Sequence, residues 1–223
     1  MPNTHTISAY DRELKQLTHT IIEMGDLVKA LLRMGVEGLD APRQDLAEKA
    51  VETDKRINAL DASVEQQATA MLALRNPMAV DLRLVTSAIK MAVVFERMGD
   101  IAKKIVKRTV KLGDYRPAHV MEPLHLMAEM VEKMIDQAMD AIARYDAEAA
   151  RQVFDQDDAV DELYQDMLTN LQRDMVADPQ NAAPYTLMIF LAKNYERLGD
   201  YAANLAKSVN YVASGDRRFG EGA

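Results

Sequence analysis

A chain of 223 residues, 48% of them apolar, can bury one large core or two smaller ones of about 110 residues each. A formal net charge of −8 and a pI near 5.1 argue against a nucleic-acid footprint and favour cations or basic protein surfaces as partners. The absence of cysteine excludes disulfides, thiolate metal sites and a cysteine nucleophile, while 5% aromatics, no Trp and 15 Met favour helices over sheet.

Leu14, Leu17, Ile21, Met24, Val28 and Leu31 recur at three- and four-residue spacing, which predicts one long helix over 7–39. Asp40-Ala41-Pro42 ends it, and Pro42 suits the start of the next helix because its missing N–H would be unpaired there anyway. A second helix buries Leu46, Ala50, Ile57, Val64 and Met71 and runs to about residue 75. Asn76-Pro77 closes it, since the residue before proline is pushed out of the helical region. The third, over 79–112, carries Leu84, Met91, Phe95, Met98 and Ile105 at heptad spacing suited to bundle packing, until Gly113-Asp114-Tyr115-Arg116-Pro117 breaks the pattern.

The plan then returns. Leu17, Ile21, Met24 and Val28 have counterparts Val120, Leu124, Met127 and Val131, each 103 residues further on, and Asp157 follows Asp54 at the same offset. Glu96-Arg97-Met98-Gly99-Asp100 recurs as Glu196-Arg197-Leu198-Gly199-Asp200 at an offset of 100, so the second copy has lost three residues in its turn around Asp178-Pro179, where a loop absorbs the change. The chain reads as an internal repeat, all-α, with six long antiparallel helices in two tandem three-helix bundles. The expected units are 1–112 and 113–213, with 214–223, which holds three Gly and no apolar period, as a flexible tail.

Residues four apart on a helix lie about 40° apart in projection, so Glu96 and Asp100 point the same way, as do Glu196 and Asp200. Counted from Phe95 at about 100° per residue, the first pair falls on the face away from the core stripe. The second helices add Asp54 in the first copy and Asp157 with Asp161 in the second. A like-charged pair at this spacing costs about a few tenths of a kcal/mol, and a mid-helix Gly up to ~1 kcal/mol relative to Ala. One reason to keep both features twice is a bound cation such as iron, manganese, magnesium or zinc, with Gly99 and Gly199 letting a backbone or a bulky metal cluster come close. The other reading is solvated charge on an acidic protein, since Asp136 with Asp140 and Asp158 with Glu162 share the spacing. Lys103, Lys107 and Lys207 on the same face offer another way to offset the charge.

Catalytic signals are absent. There is no Gly-rich phosphate loop, no His-Glu-x-x-His, and none of the five Ser lies in a nucleophile elbow, so no enzyme is expected. Glu122-Pro123-Leu124-His125 has the Glu-x-x-His spacing of di-iron bundles, but only once, which keeps a carboxylate-bridged metal storage or oxidase bundle as the alternative function. The apolar runs over 91–95 and 185–192 fall short of the ~20 residues that cross a bilayer, and no secretory signal opens the chain, so the expected location is cytoplasmic.

Leu74-Arg75-Asn76-Pro77-Met78-Ala79-Val80-Asp81-Leu82-Arg83, followed by the two Glu-Arg-x-Gly-Asp copies, resembles the PhoU family of regulators associated with bacterial phosphate uptake, over about residues 10–212. The resemblance implies two three-helix bundles and a cytoplasmic, often dimeric protein without a transmembrane segment. It further implies negative regulation of the phosphate-starvation response, by linking the ATPase subunit of a phosphate ABC transporter to a sensor histidine kinase. It also implies metal clusters on acidic motifs, which here places Glu96 and Asp100 with Asp54, and Glu196 and Asp200 with Asp157 and Asp161. Asn58 stands where the second copy has Asp161, so the first site is expected to bind more weakly or to take a different metal.

Overall fold

The helix ends fall where the sequence is punctuated. In the computed structural model, which describes residues 3–216, α1 (Asn3–Asp40) stops just before Pro42, α2 (Gln44–Arg75) stops at Asn76 in the left-handed region, and α3 (Ala79–Lys111) stops before Gly113. The second copy supplies α4 (Ala118–Arg144), α5 (Ala147–Phe154), α6 (Asp157–Ala177) and, after a 3₁₀ turn at Pro179–Asn181, α7 (Ala182–Ser214). The left-handed Gly215 closes α7. The rest of the expected tail, 217–223, lies outside the described residues. No helix among the described residues is long and apolar enough to cross a membrane.

The six-helix plan holds with one difference: the fifth helix is divided into α5 and α6. Gln156 Nε2 donates to the carbonyl of Gln152 at 2.7 Å, which is the acceptor its own backbone N–H would use in a continuous helix. That N–H turns instead to the Val153 carbonyl at 3.2 Å, tightening the chain at 155–156. A second bond from Gln156 Nε2 to Gln137 Oε1 at 2.8 Å fixes the turn against α4. The break sits directly before Asp157, which therefore opens α6.

Within each copy the helices pack on one another, and α1 also packs on α4 and α3 on α7, leaving α2 and α5–α6 on the outer sides. The cross-copy ion pairs Lys29–Asp136 at 2.5 Å and Arg33–Glu132 at 2.8 Å advance along α1 as they step back along α4, so these helices run antiparallel. Phe95, Met98, Leu31, Leu124, Val131 and Tyr195 belong to one continuous buried core, as their stripe positions predict.

Two arginines tie helix ends across the joint. Arg83 Nε and Nη2 donate to the Val212 carbonyl at 3.2 Å, near the end of α7. Arg116 donates from Nε to the Leu39 carbonyl at 3.0 Å and from Nη2 to the Gly38 carbonyl at 2.8 Å, and also reaches the carbonyls of Thr109 and Gly113. One side chain thus satisfies terminal carbonyls of both α1 and α3 at the entry to the second copy. Arg116→Ala is expected to lower stability by about 2–3 kcal/mol, read by urea unfolding, because bonds from a charged donor are lost together. A loss under about 0.5 kcal/mol, the range of an ordinary surface change, would show that water replaces those bonds fully.

Candidate functional site

In the first copy the acidic residues meet in the seam between α2 and α3. Asp54 on α2 is buried, only 5% exposed. Glu96 and Asp100 on α3 are half-buried rather than on an outer, solvated face. The difference has a simple cause: α2 packs beside the core stripe of α3 and covers positions that a single-helix projection leaves in water. Gly99 brings the two helices together, since a Cβ there would sit 2.8 Å from Ile57 Cδ1.

Lys103 lies inside this group. Its Nζ donates to Asp54 Oδ2 at 2.6 Å and to Asp100 Oδ1 at 2.8 Å. Burial disfavours the ammonium charge, yet the bonds to Asp100 and Asp54 outweigh it and raise the lysine pKa. The bond from Lys103 is also the main reason the Asp100 pKa is lowered. Glu96 behaves oppositely: burial first, then the charges of Asp100, Asp61 and Asp54, raise its pKa.

The second copy gathers Asp157 and Asp161 of α6 with Glu196 and Asp200 of α7. Glu196 is 8% exposed, and Lys193, one turn earlier, donates to its Oε1. Lys193 also lies 5.0 Å from the centre of the Tyr164 ring. The buried oxygens Asp157 Oδ1, Asp161 Oδ1 and Glu196 Oε2 have no hydrogen-bond partner among the described residues; in the first copy Asp54 Oδ1 shares that condition. Burial, followed by repulsion from Asp200, Asp161, Asp158 and Glu196, pushes the Asp157 pKa up to about 6. Burial raises Asp161 as well, and also Glu196, against the opposing pull of Lys193. At Gly199 an added Cβ would lie 3.1 Å from Asp157 Oδ1, so this glycine makes room for a carboxylate where Gly99 makes room for Ile57.

The seven residues singled out by sequence therefore fall into two groups, one per copy. Among the described residues no three or more His, Asp or Glu side chains are already arranged to hold a metal ion. The donor set of the second group, four carboxylates with three unpartnered buried oxygens, has the chemistry a hard cation takes after side-chain rotation. His125 is engaged elsewhere, with Nδ1 2.8 Å from the Met121 carbonyl and Nε2 2.9 Å from Asp40 Oδ1. Lys207 lies over the Phe154 ring at 5.1 Å and does not offset the acidic pair. Sequence reasoning missed the contributions of Asp61 and Lys193 and the bridging contact of Lys103 to Asp54. A helical projection ranks residues on one helix and cannot place a partner 49 positions away; the available signal was Ala203 standing where the first copy has Lys103.

Comparison with known proteins gives the fold a lineage. The family model described as the PhoU domain matches twice, at residues 21–109 and 124–209. The chain belongs to the PhoU family. Among similar PhoU homologues, the phosphate-specific transport system accessory protein of Rhizobium meliloti is 33% identical over 222 residues, covering 99% of this chain and 94% of that protein. The Zymomonas mobilis homologue of the same name is 38% identical, covering 95% of this chain and 89% of its own. The crystal structure of PhoU from Pseudomonas aeruginosa superposes with a TM-score of 0.88 at 31% identity, over 93% of this chain and 100% of that one. The PhoU structure from Streptococcus pneumoniae gives 0.85 at 26% identity, over 94% and 99%.

For this PhoU-family chain the crowded second seam has a stability signature. Asp157 titrates near 6 in the folded state against an ordinary value of 3.8, so its protonated form favours folding. That contribution is complete below about pH 4 and is lost as pH rises through 6. In chelator-treated protein, Asp157→Asn is expected to raise stability at pH 7 by on the order of 1 kcal/mol, or about 2–4 °C in Tm, with the gain vanishing below pH 4. Thermal melts against pH check this; an unchanged or lowered Tm at pH 7 contradicts the assigned repulsion.

Proposed function

We propose that the chain is a non-catalytic cytoplasmic regulator of phosphate uptake. It restrains the phosphate-starvation response by contacting the ATPase subunit of a phosphate ABC transporter and a sensor histidine kinase, and it acts as a homodimer. What supports this reading is the extent of the likeness: both copies match the PhoU domain, and the matched relatives are covered almost end to end. Those relatives are named accessory proteins of phosphate-specific transport systems, and the Streptococcus pneumoniae structure is described as a phosphate transport system regulatory protein. The units 1–112 and 113–213 are the two bundles of this adaptor, and its acidic surface suits basic patches on partners.

A metal ion belongs to the same proposal. Asp157, Asp161, Glu196 and Asp200 supply only oxygen donors, which favours iron, manganese or magnesium over a zinc site built on nitrogen and sulfur. A bound cation would offset repulsion and give the unpartnered oxygens a partner. Its effect would be to hold α6 against α7, fixing the outer helix that a partner meets.

Deleting the gene is expected to leave phosphate-scavenging enzymes expressed in phosphate-rich medium, with repression restored by a plasmid copy. Repression that persists unchanged in the deletion strain contradicts the regulatory role.

A further inference from the structure

The two copies share their carboxylates but not the cation among them. Three residues after each Glu-Arg-x-Gly-Asp motif, α3 carries Lys103 and α7 carries Ala203. The Lys103 ammonium sits between carboxylates of two helices, at 2.6 Å from Asp54 and 2.8 Å from Asp100, and its side chain is largely buried. A metal ion seeking those two residues would meet a cation already bonded to both. Lys104 lies 3.9 Å from Asp100 and adds to the positive charge on that side.

Among the described residues the second copy offers no equivalent. Ala203 is buried and carries no charge, and the nearby lysine, Lys193, comes from the preceding turn to one oxygen of Glu196 alone. The other Glu196 oxygen belongs to a side chain nine-tenths buried and has no partner among the described residues, and neither do Asp157 Oδ1 and Asp161 Oδ1. Lys193 is also the more exposed of the two lysines, 43% against 18% for Lys103, so it can withdraw to water without leaving a cavity.

We infer that Lys103 is the resident cation of the first constellation and excludes an external metal ion from it, leaving the second constellation as the one open to metal. The second half of this inference rests on the metal reading given under the proposed function; the exclusion by Lys103 does not. The repeat has thus separated into a copy closed by its own side chain and a copy that responds to cation supply.

Untagged full-length protein, stripped with chelator and titrated with Mn²⁺ while free Mn²⁺ is followed by electron paramagnetic resonance, tests both halves. Wild-type protein is expected to bind Mn²⁺, to lose it in the Asp157→Asn, Glu196→Gln double variant, and to keep it in Asp54→Asn, Asp100→Asn. Lys103→Ala and Lys103→Met are each expected to bind at least one more ion per chain, and adding Asp54→Asn removes the gain. Lys103→Met keeps the apolar stem, so a folding failure of Lys103→Ala leaves the test intact. Folded Lys103 variants with no added Mn²⁺, or wild-type binding that falls in Asp54→Asn, Asp100→Asn, overturn the exclusion. Wild type that binds nothing while the Lys103 variants bind overturns the metal reading of the second copy and supports the exclusion.

Discussion

Carboxylates closed into a seam between two helices must be offset, and the rest of this structure is arranged around how that is done. A buried charge costs several kcal/mol unless it finds a partner, by the order-of-magnitude cost of removing an ion from water. Asp54 and Glu196 are the most enclosed charges, one in each seam. In the first seam an ammonium from the opposite helix bonds to Asp54. In the second, four carboxylates face one lysine that bonds a single oxygen, and burial together with their mutual repulsion raises the Asp157 pKa. The apolar core is continuous through both copies.

The architecture keeps these seams apart from the joint between copies. Because α1 docks on α4 and α3 on α7, the inner helices carry the shared core, and α2 and α5–α6 form the outer walls. Each acidic group lies where an outer wall meets an inner helix. The division of the second outer helix at 155–156 places Asp157 and Asp161 on the separate segment α6. A helix that begins at Asp157 also directs its unpaired N–H groups toward that end, which partly favours the carboxylate there. The raised pKa shows that burial and repulsion still win.

Most of the fold was legible because its signals are local and repeated. The stripes Leu17 to Leu31 and Val120 to Ile135 specified helices and also their duplication, and Pro42, Asn76-Pro77 and Gly113 marked the ends within a few residues. The helix break was not legible, because it depends on which acceptor the Gln156 side chain takes, and glutamine at that position does not announce its rotamer. Spacing and the family resemblance singled out seven carboxylates that fall into two groups, but helical projection set Glu96 and Asp100 on an outer face, since the wall that covers them is a different helix. Arg83 was likewise visible only as part of the family-like segment and Arg116 only as part of a turn, while their function as caps depends on carbonyls 129 and 77 positions away. The exposed Leu74 and Met78 at the α2–α3 turn, 77% and 80% accessible, belong to the family-like segment and have no role in bundle packing.

On the proposal made above, duplication produced two acidic seams with different cations, one built into the chain and one taken from solution. Anomalous diffraction at the manganese edge from crystals grown with Mn²⁺ tests it most directly. A peak is expected among Asp157, Asp161, Glu196 and Asp200, and none between Asp54 and Asp100, where the Lys103 ammonium remains in place. A peak between Asp54 and Asp100 with Lys103 displaced, or crystals in which neither seam holds manganese, would contradict it.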